Sequence, residues 1–222
     1  MSTGISHLDN RLRLCAEFVR NGAKLADIGT DHAYLPVWLC QNGKCPSAIA
    51  ADINPEPLKR GHDTVVEANL TDKIETRLSD GLKSINSDEA DDIVIAGMGG
   101  ELIARIIGDC GFSKDKSKQF ILQPMTKSEY LIEWLCKNGY KILKQDCCVA
   151  SNKCYTVILA KYTGDVTAYD ETYYYIAELD TKKETHLRFV RNHINRLLKQ
   201  ANGDVRFAVL AKRLEEIIND NN

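Results

Sequence analysis

No apolar run in the 222-residue chain approaches the roughly 18 residues that a membrane-spanning helix requires. The first residues, Met1-Ser2-Thr3-Gly4, carry neither the basic stretch nor the apolar core of a secretory signal. Membrane insertion and secretion are therefore not expected, and the cytoplasm is the expected compartment. Zinc-type spacing is missing too. The eight cysteines (Cys15, Cys40, Cys45, Cys110, Cys136, Cys147, Cys148 and Cys154) form no C-x-x-C pair and have no companion histidine pair. They read as reduced, mostly buried thiols, and no metal is expected. An excess of one charge is also lacking: 29 Lys and Arg stand against 31 Asp and Glu. A nucleic-acid partner must therefore be argued from local patches.

The most informative absence is glycine at one turn. Leu25-Ala26-Asp27-Ile28-Gly29-Thr30-Asp31-His32-Ala33 reads as a buried strand, a turn and the start of a helix. A dinucleotide fingerprint places three glycines at G-x-G-x-x-G so that backbone N–H groups can press against a pyrophosphate. Here only Gly29 is present, Asp31 takes the place of the second glycine, and Asp27 adds another carboxylate. Such a loop repels phosphate and welcomes a cation. Among nucleoside cofactors held by turns of this kind, S-adenosyl-L-methionine presents an ammonium and a sulfonium, which points to a methyltransferase.

What is present supports that reading. After a helix over 9–20, the first 160 residues alternate strand runs (24–28, 48–52, 74–79, 92–96, 119–122, 141–149, 154–161) with helices (35–42, 55–69, 100–108, 127–137). The alternation predicts a parallel sheet covered on both faces. The last two strands are joined only by Ala150-Ser151-Asn152-Lys153, which forces an antiparallel hairpin. A mostly parallel sheet with one antiparallel strand is the class I methyltransferase arrangement; an ordinary NAD domain ends on another parallel strand. An NAD-dependent oxidoreductase is the disfavoured alternative.

The candidate site residues gather at strand ends, where open α/β sheets bind ligands. Asp27, Gly29, Thr30, Asp31 and His32 would face the methionyl ammonium and carboxylate. Asp52, 25 residues beyond Asp27, would accept the ribose hydroxyls, with Ile53 against the adenine face and Asn54 beside it. Asp80 and Gly81 would form the adenine-edge loop. The run Gly97-Met98-Gly99 would line the substrate pocket beside the methyl group, and it lacks the Asn/Asp-Pro-Pro-aromatic motif of many amino-directed nucleic-acid methyltransferases. Gln123 either reads a base edge or is a plain loop residue. Asp31 is the first candidate for stabilising the transition state and also a candidate cofactor ligand. His32 orients Asp31, contacts the base or is structural.

Beyond about Tyr162 the spacing changes. Leu187, Val190, Ile194 and Leu197, then Phe207, Leu210, Leu214 and Ile217, predict two helices with coiled-coil-like seams. Gly203 is expected to take the left-handed cap of the first helix and Asp204 to cap the second. The division is thus a Rossmann-like domain over 1–162 and a helical hairpin over 163–222. Lys182, Lys183, Arg188, Arg191, Arg196 and Lys199 face a single acid, Glu184. The hairpin is either a phosphate-tracking surface or a stabilising or dimerising appendage.

With D-I-G-T-D-H-A-Y-L-P from Asp27 to Pro36, I-A-G-M-G-G from Ile95 to Gly100 and L-Q-P from Leu122 to Pro124, the chain resembles the bacterial TrmK family over essentially its whole length. The resemblance implies a tRNA (adenine-N1)-methyltransferase that uses S-adenosyl-L-methionine and acts on adenosine 22 of the D-arm. It also implies a coiled-coil-like tail that helps hold tRNA. Leu8-Asp9-Asn10-Arg11-Leu12 resembles the family's start, where Arg11 is a candidate partner for the cofactor carboxylate. A methyltransferase acting on another RNA site or on a small molecule would share the cofactor residues. A monomer is expected.

Overall fold

A computed structural model describes residues 7–220. Its seven strands are β1 (Leu25–Ile28), β2 (Ala48–Asp52), β3 (Ile74–Leu78), β4 (Asp92–Gly99), β5 (Gln119–Thr126), β6 (Tyr140–Ala150) and β7 (Lys153–Tyr162). They form one sheet in the order β3-β2-β1-β4-β5-β7-β6. All neighbouring pairs from β3 to β5 are parallel, and β7 runs antiparallel to both β5 and β6. The hairpin turn puts Ser151 at φ 46° and Asn152 at φ 63°. Positive φ at both central residues matches the turn's twist to that of the strands.

Successive side chains of the central strands enter opposite cores. Ala26, Ile28, Ile93, Ile95, Phe120 and Leu122 join one, while Leu25, Val94 and Ile121 join the other. This two-sided burial explains why the strands read as continuous apolar runs. The first core is covered by α4 (Gly100–Gly108) and α5 (Ser128–Lys137), the second by α1 (Asn10–Phe18), α2 (Tyr34–Gln41) and α3 (Pro55–Glu67). Gly100 lets α4 start against the β5–α5 turn: a Cβ there would overlap the Lys127 carbonyl oxygen, which is backbone and cannot swing aside.

The chain departs from β1 to β2 and β3 on one side and to β4 and β5 on the other, so the order reverses between β1 and β4. That reversal opens the crevice in which ligands of such sheets bind.

Beyond β7, a linker carries the short α6 (Tyr173–Ile176) to α7 (Glu184–Gln200) and α8 (Val205–Asp220). α7 and α8 form a third core with Cys147 of β6. Two local expectations fail. Gly203 is not among the positive-φ residues, and α7 ends through Ala201 in the right-handed region. The buried seam of α8 ends on Ile218, with Ile217 only partly buried. Asp204 does cap α8, its Oδ1 accepting the Arg206 N–H at 3.0 Å.

Candidate active site

A cleft of about 360 Å³ opens at the reversal point. Its walls come from the β1 turn (Asp27, Gly29 to Ala33), the β4 end (Ala96, Gly97), Gln123 of β5 and the first residues of α1 (Asp9, Arg11, Leu12). A larger cavity, about 650 Å³, lies elsewhere, at the amino ends of β2 and β3 around Ser47, Lys73 and Ile74. Of the candidate site residues, Arg11, Asp27, Gly29 to His32, Gly97 and Gln123 line the smaller cleft, whereas Asp52, Ile53, Asn54, Asp80, Gly81, Met98 and Gly99 do not.

The turn after β1 is poorly suited to a phosphate. The Gly29 and Thr30 N–H groups both donate to the Ala51 carbonyl, at 2.8 and 3.0 Å, so these two amides are already engaged by β2, and the Asp27 and Asp31 carboxylates flank the turn. Gly29 sits at φ 79°, where a side chain is strained. Thr30 is buried, and its hydroxyl bonds the Asp27 carboxyl and accepts from the Ala33 N–H.

Asp27 is the electrostatic centre of the cleft. It is only 7 % exposed. Burial, and then the negative charge of Asp52, push its carboxyl up to about 6, against the pull of the Thr30 hydroxyl. A buried acid with so little compensation is a site for a cation.

Asp31 stands in the opposite condition, at the mouth. Its carboxylate is 64 % exposed and forms an ion pair with Arg60 of α3; the His32 Nε2 lies 3.6 Å away. His32 itself stacks on Tyr34, with ring centroids 5.0 Å apart. Arg60 carries no local sequence signal, since only the packing of α3 brings it to the turn.

At the end of β2, Asp52 Oδ1 accepts the Asn54 N–H at 2.7 Å, which fixes the carboxylate's orientation, while Ile53 is exposed. At the end of β3, Asp80 pairs with Lys83, whose hydrogen bond holds its carboxyl below the usual range. Ile53 and Asp80 line a second hollow of about 270 Å³ with Lys83 and Arg105. Gly81 follows at φ 59° against Ile106.

Gln123 is fully buried. Its Oε1 accepts the Gly97 N–H at 3.1 Å and its Nε2 donates to the Pro124 carbonyl at 3.0 Å. Gly97, at φ 80°, forms the irregularity between β4 and β5, and Met98 and Gly99 continue the strand beyond it. The amide thus shapes the Gly97 loop, with both polar atoms occupied.

Arg11 reaches the cleft edge because Asp9 caps α1, accepting the Arg11 and Leu12 N–H groups. Its guanidinium is shared by Asp9 at 2.7 Å and the Met125 sulfur at 3.3 Å.

Of the six basic residues of the tail, Lys182, Lys183, Arg188, Arg191 and Lys199 are exposed. Arg188 donates to the Asn152 carbonyl of the β6–β7 turn at 2.7 Å. Arg196 is half-buried, paired with Glu129 of α5 at 2.8 Å and donating to His193 Nδ1 at 2.9 Å. These two arginines therefore tie the tail to the β6–β7 turn and to α5. Among the described residues no group of side chains could hold a metal ion, and no helix is long and apolar enough to cross a membrane.

Residues 8–158 match the family described as a methyltransferase domain. The chain is 41% identical, over 164 residues, to the tRNA (adenine(22)-N(1))-methyltransferase of Bacillus subtilis (strain 168), a match that spans 73% of this chain and 68% of that protein. Among solved structures, Streptococcus pneumoniae Sp1610 in complex with S-adenosyl-L-methionine superposes with a TM-score of 0.87 at 27% identity, covering 96% of this chain and 100% of that one. M. capricolum TrmK in complex with S-adenosyl-homocysteine superposes with a TM-score of 0.79 at 26% identity, covering 96% and 98%. With its acid-lined cleft, its single antiparallel strand and these likenesses together, the chain belongs to the methyltransferase domain family and, within it, to the TrmK tRNA (adenine(22)-N(1))-methyltransferases.

Proposed function

We propose that the protein transfers the methyl group of S-adenosyl-L-methionine to N1 of adenosine 22 in the D-arm of tRNA. The observation that carries the cofactor half is Asp27, a buried carboxylate at the reversal point, beside a turn whose Gly29 and Thr30 amides are already bonded to Ala51. That donor set suits an ammonium and rejects a phosphate. Asp27 would hold the methionyl amine, Arg11 the carboxylate, Asp52 the ribose hydroxyls, Ile53 the adenine face and Asp80 the exocyclic amine. Exchanging Lys83 for that amine costs Asp80 little, because the existing pair is exposed. When bound, the cofactor supplies an electrophilic methyl on a sulfonium.

The acceptor half rests on the 41% identical relative. Adenine N1 carries a free lone pair once the base is unpaired, so the chain need not remove a proton from N1. Its task is alignment, which can contribute about 7–11 kcal/mol to an in-line displacement. Gln123 holds Gly97 in place and so keeps the pocket floor open to a flat ring. The product base is cationic at N1 methylation, and the Asp31 carboxylate at the mouth stabilises that developing charge. Because N1 lies on the pairing edge, the base must leave its helix, and RNA contacts on the tail offset that cost. The enzyme works in this reading as a cytoplasmic monomer.

Incubation with methyl-labelled cofactor and unmodified tRNA, followed by mapping, tests this directly: label is expected at N1 of adenosine 22, and label confined to small molecules would sink the RNA assignment. A second expectation concerns the tail. On α7, Arg191 and Lys199 lie on the face opposite the buried Phe189, Val190 and Ile194, and Lys182 and Lys183 precede the helix. Replacing these four with Ala should weaken tRNA binding by at least about tenfold at moderate salt and reduce the slope of log Kd against log salt by about 2 to 4. Unchanged binding at fixed salt would leave the tail a purely structural appendage.

A further inference from the structure

Next to the cofactor cleft lies a second, smaller groove of about 200 Å³, between the end of β5, the start of β7 and α7. Met125, Lys127, Tyr155, Asn192 and Arg196 are among its walls. The wall between groove and cleft is a stack: the Arg11 guanidinium lies over the Tyr155 ring, 5.4 Å from its centroid, and touches the Met125 sulfur. Arg11 lines the cleft and not the groove, and Tyr155 lines the groove and not the cleft. Arg11 thus lies over the Tyr155 ring from the cleft side, and the same partly buried ring lines the groove.

The groove also holds a preset cation. Arg196 donates Nη2 to Glu129 and to His193 Nδ1, and its Nε, though buried, has no hydrogen-bond partner among the described residues. Because His193 Nδ1 accepts from Arg196, the imidazole proton sits on Nε2, directed at the Ser128 hydroxyl 3.3 Å away. Burial pushes the His193 imidazole down to about 4, in keeping with a neutral ring. Arg196 is therefore held in one orientation before any ligand arrives.

The second cation of the groove, Lys127, is exposed and paired with Glu101 at 2.6 Å, a pair that a phosphate can exchange at little cost. An aromatic face, a thioether, a side-chain amide and two cations are the means by which proteins hold an unstacked ribonucleotide. We propose that this groove is a second nucleotide subsite: it binds the RNA nucleotide flanking the methylated adenosine, with its base stacked on Tyr155, its edge toward Asn192 and its phosphate toward Arg196 and Lys127. Two adjacent nucleotides would then occupy groove and cleft on either side of the Arg11–Tyr155 wall. The inference rests on the RNA reading given above.

A double-mutant cycle between protein and RNA tests it. The RNAs are intact tRNA and two tRNAs with an abasic site immediately 5′ or 3′ of the target adenosine; the proteins are wild type, Tyr155→Phe and Tyr155→Leu. Wild type should bind one of the abasic tRNAs about tenfold more weakly than intact tRNA, the scale of one lost base–aromatic stack. Tyr155→Leu should bind intact tRNA about tenfold more weakly and show no further loss with that abasic tRNA. Tyr155→Phe should match wild type. A thermal unfolding midpoint of Tyr155→Leu within a few degrees of wild type, read independently of the cofactor site because Arg11 stacks on this ring, shows that the variant folds. Additive losses, or a Tyr155→Leu variant that binds every RNA as wild type does, would overturn the subsite. Absence of any methyl transfer to intact tRNA by wild type would instead overturn the RNA reading itself.

Discussion

Replacing Asp31 with alanine is expected to slow single-turnover methyl transfer at least about 100-fold while changing the dissociation constant for S-adenosylmethionine less than about threefold. The separation of the two effects follows from where the two acids sit. Asp27 is buried and is the residue proposed to hold the methionyl amine; Asp31 is 64 % exposed at the mouth, so its charge is expected to contribute little to holding the cofactor. In the transition state the adenine ring acquires positive charge and water is displaced from the mouth, and the same carboxylate then acts through a less polar medium. Arg60 reduces its net charge but fixes its direction. Asp31→Asn, which keeps the acceptor oxygen and loses the charge, should fall between alanine and wild type. Rapid-quench measurement at saturating cofactor and tRNA gives the rate, and calorimetry the affinity. Wild-type single-turnover rates in Asp31→Ala would remove the electrostatic role; a large loss of cofactor affinity at an unchanged rate would make Asp31 a binding residue.

Asp27→Asn should have the reverse profile. Loss of the buried charge opposite an ammonium is expected to cost about 2–4 kcal/mol of cofactor binding near pH 8, roughly 30- to 1,000-fold in Kd. Without cofactor the same change should stabilise the fold. The folded carboxyl is pushed up to about 6, against about 3.9 unfolded. Below about pH 4 both states hold the proton and no penalty exists. Between about 4 and 6 the folded chain keeps a proton that the unfolded chain gives up, so wild-type stability falls as pH rises. Above about 6 both are ionised and the deficit is constant at about 3 kcal/mol. Asp27→Asn should lack this decline, so urea unfolding at pH 4 and pH 7.5 separates the two proteins. Wild-type cofactor affinity should weaken as pH falls below about 6, approaching tenfold per unit, with a proton released on binding near that pH. A variant with wild-type affinity, or a wild type whose cofactor affinity is flat between pH 5 and 8, would be incompatible with this account.

Elements with strong local signals were legible in the sequence. The run Ala48–Asp52 and the helix Gly100–Gly108 begin and end where the apolar pattern and the flanking residues place them. β4 and β5 run further than the pattern, to Gly99 and Thr126, because the Gly97 irregularity lets a glycine- and proline-containing stretch keep pairing. Ile218 replaces Ile217 in the seam of α8 because the burial pattern drifts by a residue along a helix of 3.6 residues per turn. At the site, local chain geometry brought Asp27, Gly29, Thr30 and Asp31 together as their spacing implies. What the sequence could not convey was tertiary pairing: Arg60 against Asp31, the inward turn of Gln123 toward Gly97, and the use of Arg188 and Arg196 to seat the tail. Each joins residues distant in the chain, and a charge count treats such an arginine as solvated until the fold supplies its partner.

The short helix α6 has a bearing on how the two halves cooperate. Tyr174 is buried in the sheet's core and Tyr175, its neighbour, in the core of α7 and α8. Arg213 of α8 reaches back to Asp170 of the linker at 2.7 Å. Adjacent side chains locked into separate cores leave the connection no slack, so the tail is a fixed arm. If the proposed RNA contacts on α7 hold, the effective concentration of the target base at the cleft is set by the reach of the RNA alone, undiluted by motion of a protein tether.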